Sequence, residues 1–196
     1  MMSDVDAAGS EWIARAILES GISTIYGLQG GHIQPIWDEF TRRGGIVIDA
    51  RDEKAAVHMA HAYSELTGIL GIALVTAGPG VTNVVTAMAN ALKARSAVLV
   101  LGGAVPRPQQ GLGALQEIAQ TDLMRPVSRM ADTISCPERL AEVLTIANHK
   151  ARGLDGVTGP GPVFLDIPTD VLRTKTKWRG PVLSVLSASP VNGQAL

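Results

Sequence analysis

The chain has 196 residues, 46% of them hydrophobic, and a net charge of −1 from 17 basic and 18 acidic residues. That suits one compact domain with a sizeable core, and it excludes a nucleic-acid surface or a polybasic membrane patch. The single cysteine, Cys136, excludes an internal disulfide, so a reducing, cytoplasmic setting is expected. The first residues, 1–9, lack the charged start and apolar stretch of a signal peptide, and no apolar run reaches membrane-spanning length.

Ser10 is expected to cap a helix running to about Glu19, with Gly21 past its end. Thr24–Leu28 reads as a short apolar strand, broken by Gly30-Gly31. Ile33, Ile36, Trp37 and Phe40 then fall on one helix face, stopped by Gly44-Gly45, and Ile46–Ala50 is a second strand. Arg51-Asp52-Glu53 leads into a helix to about Leu66. Ile69–Thr76 is a third strand, apolar on both faces as buried parallel strands are. Gly78-Pro79-Gly80 turns into a helix over Val81–Ala94, and Ala97–Leu101 is a fourth strand.

Residues 102–126 form a long Gly/Pro-rich connection of the kind that carries function. Ser128–Ile134 is a strand candidate. Ser135 and Glu138 form a capping-box pattern for a helix through about Lys150, and Pro162–Ile167 is the last strand. The alternation predicts an α/β three-layer sandwich: a mostly parallel six-stranded sheet with helices on both faces. The domain is expected over residues 1–178, with an irregular tail over 179–196. Ligands bind such sheets outside the carboxyl ends of the strands. The residues to inspect are therefore Leu28–His32, Arg51–Glu53, Thr76–Asn83 and Gly102–Glu117.

Five segments there carry a resemblance: Gly27-Leu28-Gln29-Gly30-Gly31, Arg51-Asp52-Glu53-Lys54-Ala55-Ala56-Val57-His58-Met59-Ala60, Val75-Thr76-Ala77-Gly78-Pro79-Gly80-Val81-Thr82-Asn83, Ala114-Leu115-Gln116-Glu117 and Gly161-Pro162-Val163-Phe164-Leu165-Asp166-Ile167-Pro168-Thr169-Asp170. In this order and spacing they resemble the N-terminal, pyrimidine-binding domain of acetolactate-synthase-like thiamine-diphosphate enzymes, over roughly residues 10–172. The resemblance implies that Glu53 hydrogen-bonds N1′ of the cofactor's aminopyrimidine and so activates the cofactor. It also implies that Gln29, Gly30, Thr76, Gly78, Pro79, Gly80 and Asn83 line the cofactor pocket, and that Gly31, His32 and Gln116 face the substrate. Gln29 and Leu115 stand where the family has Pro and Phe.

Read without the resemblance, Glu53 is an acidic residue in a first helical turn, favoured there by the dipole. Thr76–Gly80 is a tight turn. A phosphate loop does not fit, because Asn83 replaces the glycine of a dinucleotide fingerprint and no Lys-Ser/Thr follows. His58 and His61 lie three apart on one helix without a third metal ligand, so no protein metal site is expected.

The Gly-Asp-Gly…Asn motif with which relatives hold Mg²⁺ and the diphosphate is absent; Leu154-Asp155-Gly156 does not match it. The starting Met and the loose tail read as natural ends. Two explanations are open, a fragment of a longer chain or a split gene; the split is the expectation, with a second chain carrying the diphosphate/Mg²⁺ domain in a heterotetramer with two of each chain. The expected activity is decarboxylation of a small-molecule 2-oxo acid such as pyruvate, with transfer of the acyl unit to an acceptor carbonyl. A simple 2-oxo acid decarboxylase subunit and a non-catalytic assembly protein of the same fold are the alternatives. Neither nucleic acid nor a membrane is an expected partner.

Overall fold

The computed structural model describes residues 6–178; the expected tail over 179–196 lies outside them. The chain runs β1 (Asp6–Ala8), α1 (Gly9–Glu19), β2 (Thr24–Gly27), α2 (Gln34–Arg42), β3 (Ile46–Asp49), α3 (Glu53–Thr67) and β4 (Gly71–Val75). It continues through α4 (Pro79–Asn83), α5 (Val85–Ala94), β5 (Val98–Ala104), α6 (Gln120–Met124), β6 (Met130–Thr133), α7 (Leu140–Ala151), β7 (Val163–Pro168), α8 (Thr169–Arg173) and β8 (Lys175–Lys177).

Six strands form one sheet in the order β3-β2-β4-β5-β7-β6, and every pairing is parallel. Side chains alternate across it, so each central strand feeds two cores. Ile72, Leu74, Leu99, Leu101, Leu165 and Ile167 meet the helices of one face, α1, α2, α7 and α8. Ala73, Val75, Val98, Val100 and Phe164 meet α3, α5 and Met124 on the other. The expected three-layer sandwich is thus what the chain forms. Among the described residues no helix is long and apolar enough to cross a membrane.

Several boundaries differ from expectation for identifiable reasons. Ala8, not Ser10, sits at the N-cap of α1; Ser10 is buried within the helix. The single helix expected over Val81–Ala94 starts at Pro79 and is divided at Val84 into α4 and α5. Strand β5 runs three residues beyond Leu101, because Gly102 and Gly103 allow close approach rather than ending the strand. A Cβ on Gly102 would stand 2.6 Å from the Phe164 ring.

The capping box does not form. Pro137 opens a single 3₁₀ turn, Pro137–Arg139, before α7, and the Ser135 N–H bonds the Thr133 carbonyl at 3.0 Å. Glu138 instead accepts from the Cys136 thiol at 2.9 Å. Strands β1 and β8, both unanticipated, pair antiparallel and join the two ends of the described chain. Trp12 locks that junction, donating to the Thr176 carbonyl at 2.7 Å and stacking 5.5 Å from Trp178.

The chain passes from β2 outward to β3 and then back across β2 to β4. The reversal opens a crevice between the carboxyl ends of β2 and β4, the position where doubly wound sheets bind ligands.

Candidate active site

Three segments meet at that crevice. The β2 loop brings Gly30 against Thr76, just past β4: a Cβ on Gly30 would stand 2.4 Å from Thr76 Cβ and 2.6 Å from its Oγ1. The chain after β3 delivers Glu53 as the first residue of α3, with Asp52 capping the helix through the Lys54 N–H at 2.7 Å. The turn after β4 delivers Gly80 and Asn83 on α4.

Glu53 is 7% exposed. Its one side-chain hydrogen bond among the described residues comes from Asn83 Nδ2, at 2.8 Å to Oε2. Its Oε1 lies 3.4 Å from where a Gly80 Cβ would stand. A buried carboxylate needs partners, and the helix N-terminus supplies only part of them. A carboxylate accepts about four hydrogen bonds, so most of the capacity of Glu53 is unspent within the described chain. Beside it, the buried Thr76 Oγ1 has no hydrogen-bond partner among the described residues.

Gly78 makes the turn. It adopts φ +64°, ψ −111°, a conformation closed to residues with a Cβ. A Cβ there would also meet the Gln116 carbonyl oxygen at 2.6 Å. Gln116 itself is left-handed at φ +66°, a cost on the order of 1–2 kcal/mol for a non-glycine residue. The surrounding loop imposes that geometry. Glu117 accepts from the N–H groups of Gly111 at 2.6 Å and Ala114 at 3.3 Å. Arg107, at the loop's start, donates through its backbone N–H and Nε to Asp170 at 3.0 and 2.7 Å.

Burial lowers the His32 imidazole pKa, and the nearby Gln116 side chain partly opposes the shift. Burial thus favours the neutral imidazole at His32. Its main chain rests on Gly103 at the end of β5, where a Cβ would stand 2.5 Å from the His32 carbonyl carbon.

The structure thus brings Gly30, Glu53, Thr76, Gly80 and Asn83 into one group, and His32, Gly78 and Gln116 into an adjoining one. Gln29, Gly31 and Pro79 are exposed at the rim. Sequence reasoning missed Gly103, Gln120 and the burial of Asp166. Gln120, Asp166, Gln116, Glu117, Ala104 and Val105 line a cavity of about 220 Å³ next to the second group.

Burial pushes the Asp166 carboxyl up to about 6, against hydrogen bonds from Gln120 and Thr133. Between about pH 4, where an unfolded aspartate has already ionised, and pH 6, the folded chain still holds a proton here. Stability from this group therefore falls as pH rises through that window and stays lower above it. Asp166→Asn is expected to gain on the order of 2–3 kcal/mol over the parent between pH 4 and pH 7. Urea unfolding at both pH values measures it; parallel stability curves for the two proteins would refute the assignment.

His58 and His61 acquire no metal-binding company: among the described residues no three His, Cys, Asp or Glu side chains converge on a metal site. His61 Nδ1 faces Asn90 at 3.4 Å. Asp155, in the nearest string to the missing motif, is a loop organiser. It binds Lys150 Nζ at 2.7 Å and the N–H groups of Val157 and Thr158 at 3.1 and 3.0 Å.

A doubly wound sheet with a buried glutamate facing a glycine-lined crevice at its switch point defines a cofactor-binding α/β domain. The chain belongs to the thiamine pyrophosphate enzyme family, matching its N-terminal TPP binding domain over residues 7–123. It is 41% identical to the Bos taurus protein named 2-hydroxyacyl-CoA lyase 2, over 88% of this chain and 27% of the relative. The Homo sapiens 2-hydroxyacyl-CoA lyase 2 is 40% identical over 84% of this chain and 25% of its own. The Mycobacterium tuberculosis acetolactate synthase large subunit IlvG is 39% identical over 81% of this chain and 28% of its own. The chain spans about a quarter of the length of these curated relatives.

The residues fit the family's cofactor. The buried Thr76 hydroxyl without a partner among the described residues and the uncommitted side of Glu53 are polar groups that the edge of a heterocycle can satisfy, and Gly80 puts no side chain between them.

Proposed function

We propose that this chain forms the pyrimidine side of a thiamine-diphosphate site, and that a second chain supplies the diphosphate side and Mg²⁺. The observation that carries this reading is the buried Glu53–Asn83 pair opening onto Thr76 and Gly80. Glu53 would meet the N1′ edge of the pyrimidine, where its carboxyl group can hold or pass a proton. Asn83 keeps its carboxylate aimed there, and Thr76, Gly78, Pro79, Gly80, Gly30 and Gln29 shape the slot. Thiamine diphosphate, when bound, supplies an electron sink for making or breaking a carbon–carbon bond beside a carbonyl.

His32, beside Gln116, faces the reacting region with Gly31, and its neutral imidazole can take up a proton there, becoming imidazolium, and return it. We assign Mg²⁺ and the diphosphate to the partner chain. A heterotetramer with two copies of each chain is the simplest closed assembly.

The reaction we favour is decarboxylation of a 2-oxo acid such as pyruvate with transfer of the acyl unit to an acceptor carbonyl. This accords with the likeness to acetolactate synthase. The 41% identity to a 2-hydroxyacyl-CoA lyase favours a second reading, cleavage of a 2-hydroxyacyl thioester by the same cofactor. Co-expression with candidate chains bearing the Gly-Asp-Gly…Asn domain tests both. Thiamine diphosphate and Mg²⁺ are added, and pyruvate consumption and 2-hydroxyacyl-CoA cleavage are assayed in parallel. Turnover only with both chains present is the expected result, and the consumed substrate selects the reaction. Full turnover by this chain alone would overturn the two-chain arrangement.

A further inference from the structure

Two buried polar side chains have no part in the proposed chemistry. Gln120 is 4% exposed and Asp166 is 8% exposed, yet neither belongs to the Glu53 group. Gln120 opens α6, and the three hydrogen bonds of its side chain are all long-range. Its Oε1 accepts from the Gly78 N–H at 2.6 Å; its Nε2 donates to the Gly103 carbonyl at 3.1 Å and to Asp166 Oδ1. Asp166 Oδ2 accepts in turn from Thr133 Oγ1 at 3.3 Å.

These contacts fix which way the carboxamide points. Two acceptors, a carbonyl and a carboxylate, meet its NH₂ end, and one donor meets its oxygen. The flipped carboxamide would set oxygen against oxygen and NH₂ against N–H. Gly78 depends on that choice. It is buried, and its N–H would otherwise be an unmade hydrogen bond inside the protein. Its positive φ leaves it no side chain with which to hold the turn, and the Gln116 carbonyl presses on its other side.

We propose that Gln120, oriented by Asp166, is a positioning residue that fixes the Gly78 turn and thereby the placement of Gly80 and Asn83 against the cofactor and of Gln116 against the substrate. The proposal rests on the reading of Thr76–Asn83 as the pyrimidine pocket. It ties three separate sequence motifs, at Gly78, Gln116 and Asp166, to one side chain outside all of them.

The test uses the full chain, ¹⁵N-labelled, and the assembled two-chain complex. Gln120→Leu is expected to speed hydrogen exchange at the Gly78 amide about 10-fold or more, with Val100 and Leu165 in the central strands unchanged. The same variant is expected to weaken thiamine-diphosphate binding by the complex about 10-fold. Asp166→Asn is expected to keep both properties, because its amide oxygen still accepts from Gln120 and its NH₂ donates to Thr133. Should Gln120→Leu not fold, Gln120→Met, unbranched like glutamine, poses the same question.

Unchanged exchange at Gly78, or loss of protection spread equally over Val100 and Leu165, would overturn the proposal. Glu53→Gln, measured alongside, separates the two readings. If it weakens cofactor binding and Gln120→Leu does not, the positioning role fails and the pocket stands. If neither does, the pocket is misassigned and the positioning role falls with it.

Discussion

Glu53→Gln is expected to lower kcat of the assembled enzyme by roughly 10²–10⁴-fold, the range for losing a positioned proton-transfer group. The same change should leave the fold intact. Asn83 Nδ2 bonds the Glu53 carboxylate at 2.8 Å, and a carboxamide oxygen accepts that bond equally well. Gln also removes a charge from a side chain that is 7% exposed, so the melting temperature should hold or rise. The two signs together are diagnostic. A residue serving only as helix-start ornament would give neither effect, and a structural residue would lose stability along with activity. Steady-state kinetics with saturating thiamine diphosphate, paired with thermal unfolding of the isolated chain, checks both. Activity within 3-fold of the parent would remove Glu53 from the chemistry, by the same yardstick for general acid–base groups.

The parts of this architecture legible in the sequence were those written in local pattern. Strand β4, Gly71–Val75, is buried at every residue, so it read as part of the apolar run Ile69–Thr76, between Gly68 and Gly78, with bounds wider than the strand itself. The place of Glu53 at the start of α3 was legible locally, from Arg51-Asp52-Glu53 ahead of the helix, while its role toward a cofactor was what the resemblance implied. What escaped was set by distant neighbours. The pairing of β1 with β8 joins Ala8 to Lys175, and nothing in the polar Lys175–Lys177 announces a strand. Gln120 lies in a short helix, and its partners sit at positions 78, 103 and 166.

The last motif was visible as a run of letters, but its purpose required β7 beside β5. There Gly102 pairs with Asp166, which brings Asp166 under Gln120; four residues on, Asp170 clamps Arg107. Gly102 and Gly103 were read as loop residues because glycine ordinarily weakens a strand. Whether it does depends on what packs against it.

Gly103→Ala should show how far the site depends on that strand end. A Cβ at position 103 would stand 2.5 Å from the His32 carbonyl carbon, 2.6 Å from its oxygen and 2.7 Å from its Cβ. Two of these three atoms are main chain, so no rotamer change relieves the clash. Gly103 itself cannot retreat, because it pairs with Ile167 inside the sheet and its carbonyl accepts from Gln120. The β2 loop must therefore move off the strand, carrying His32 away from Gln116 and Gly30 away from Thr76. Overpacking of this kind costs roughly 1–3 kcal/mol, or a melting temperature lower by about 2–12 °C for a domain of this size. Cofactor binding by the assembled complex should weaken by about 10-fold or more, since one side of the slot is displaced. Ala97→Gly, a small-residue change just before the same strand, serves as a control. It should also lose stability, through backbone entropy, but should leave cofactor affinity unchanged. If Gly103→Ala lowered stability alone and bound thiamine diphosphate like the parent, the β2 loop would have to be removed from the pocket and the site confined to the α3 and α4 side of the crevice.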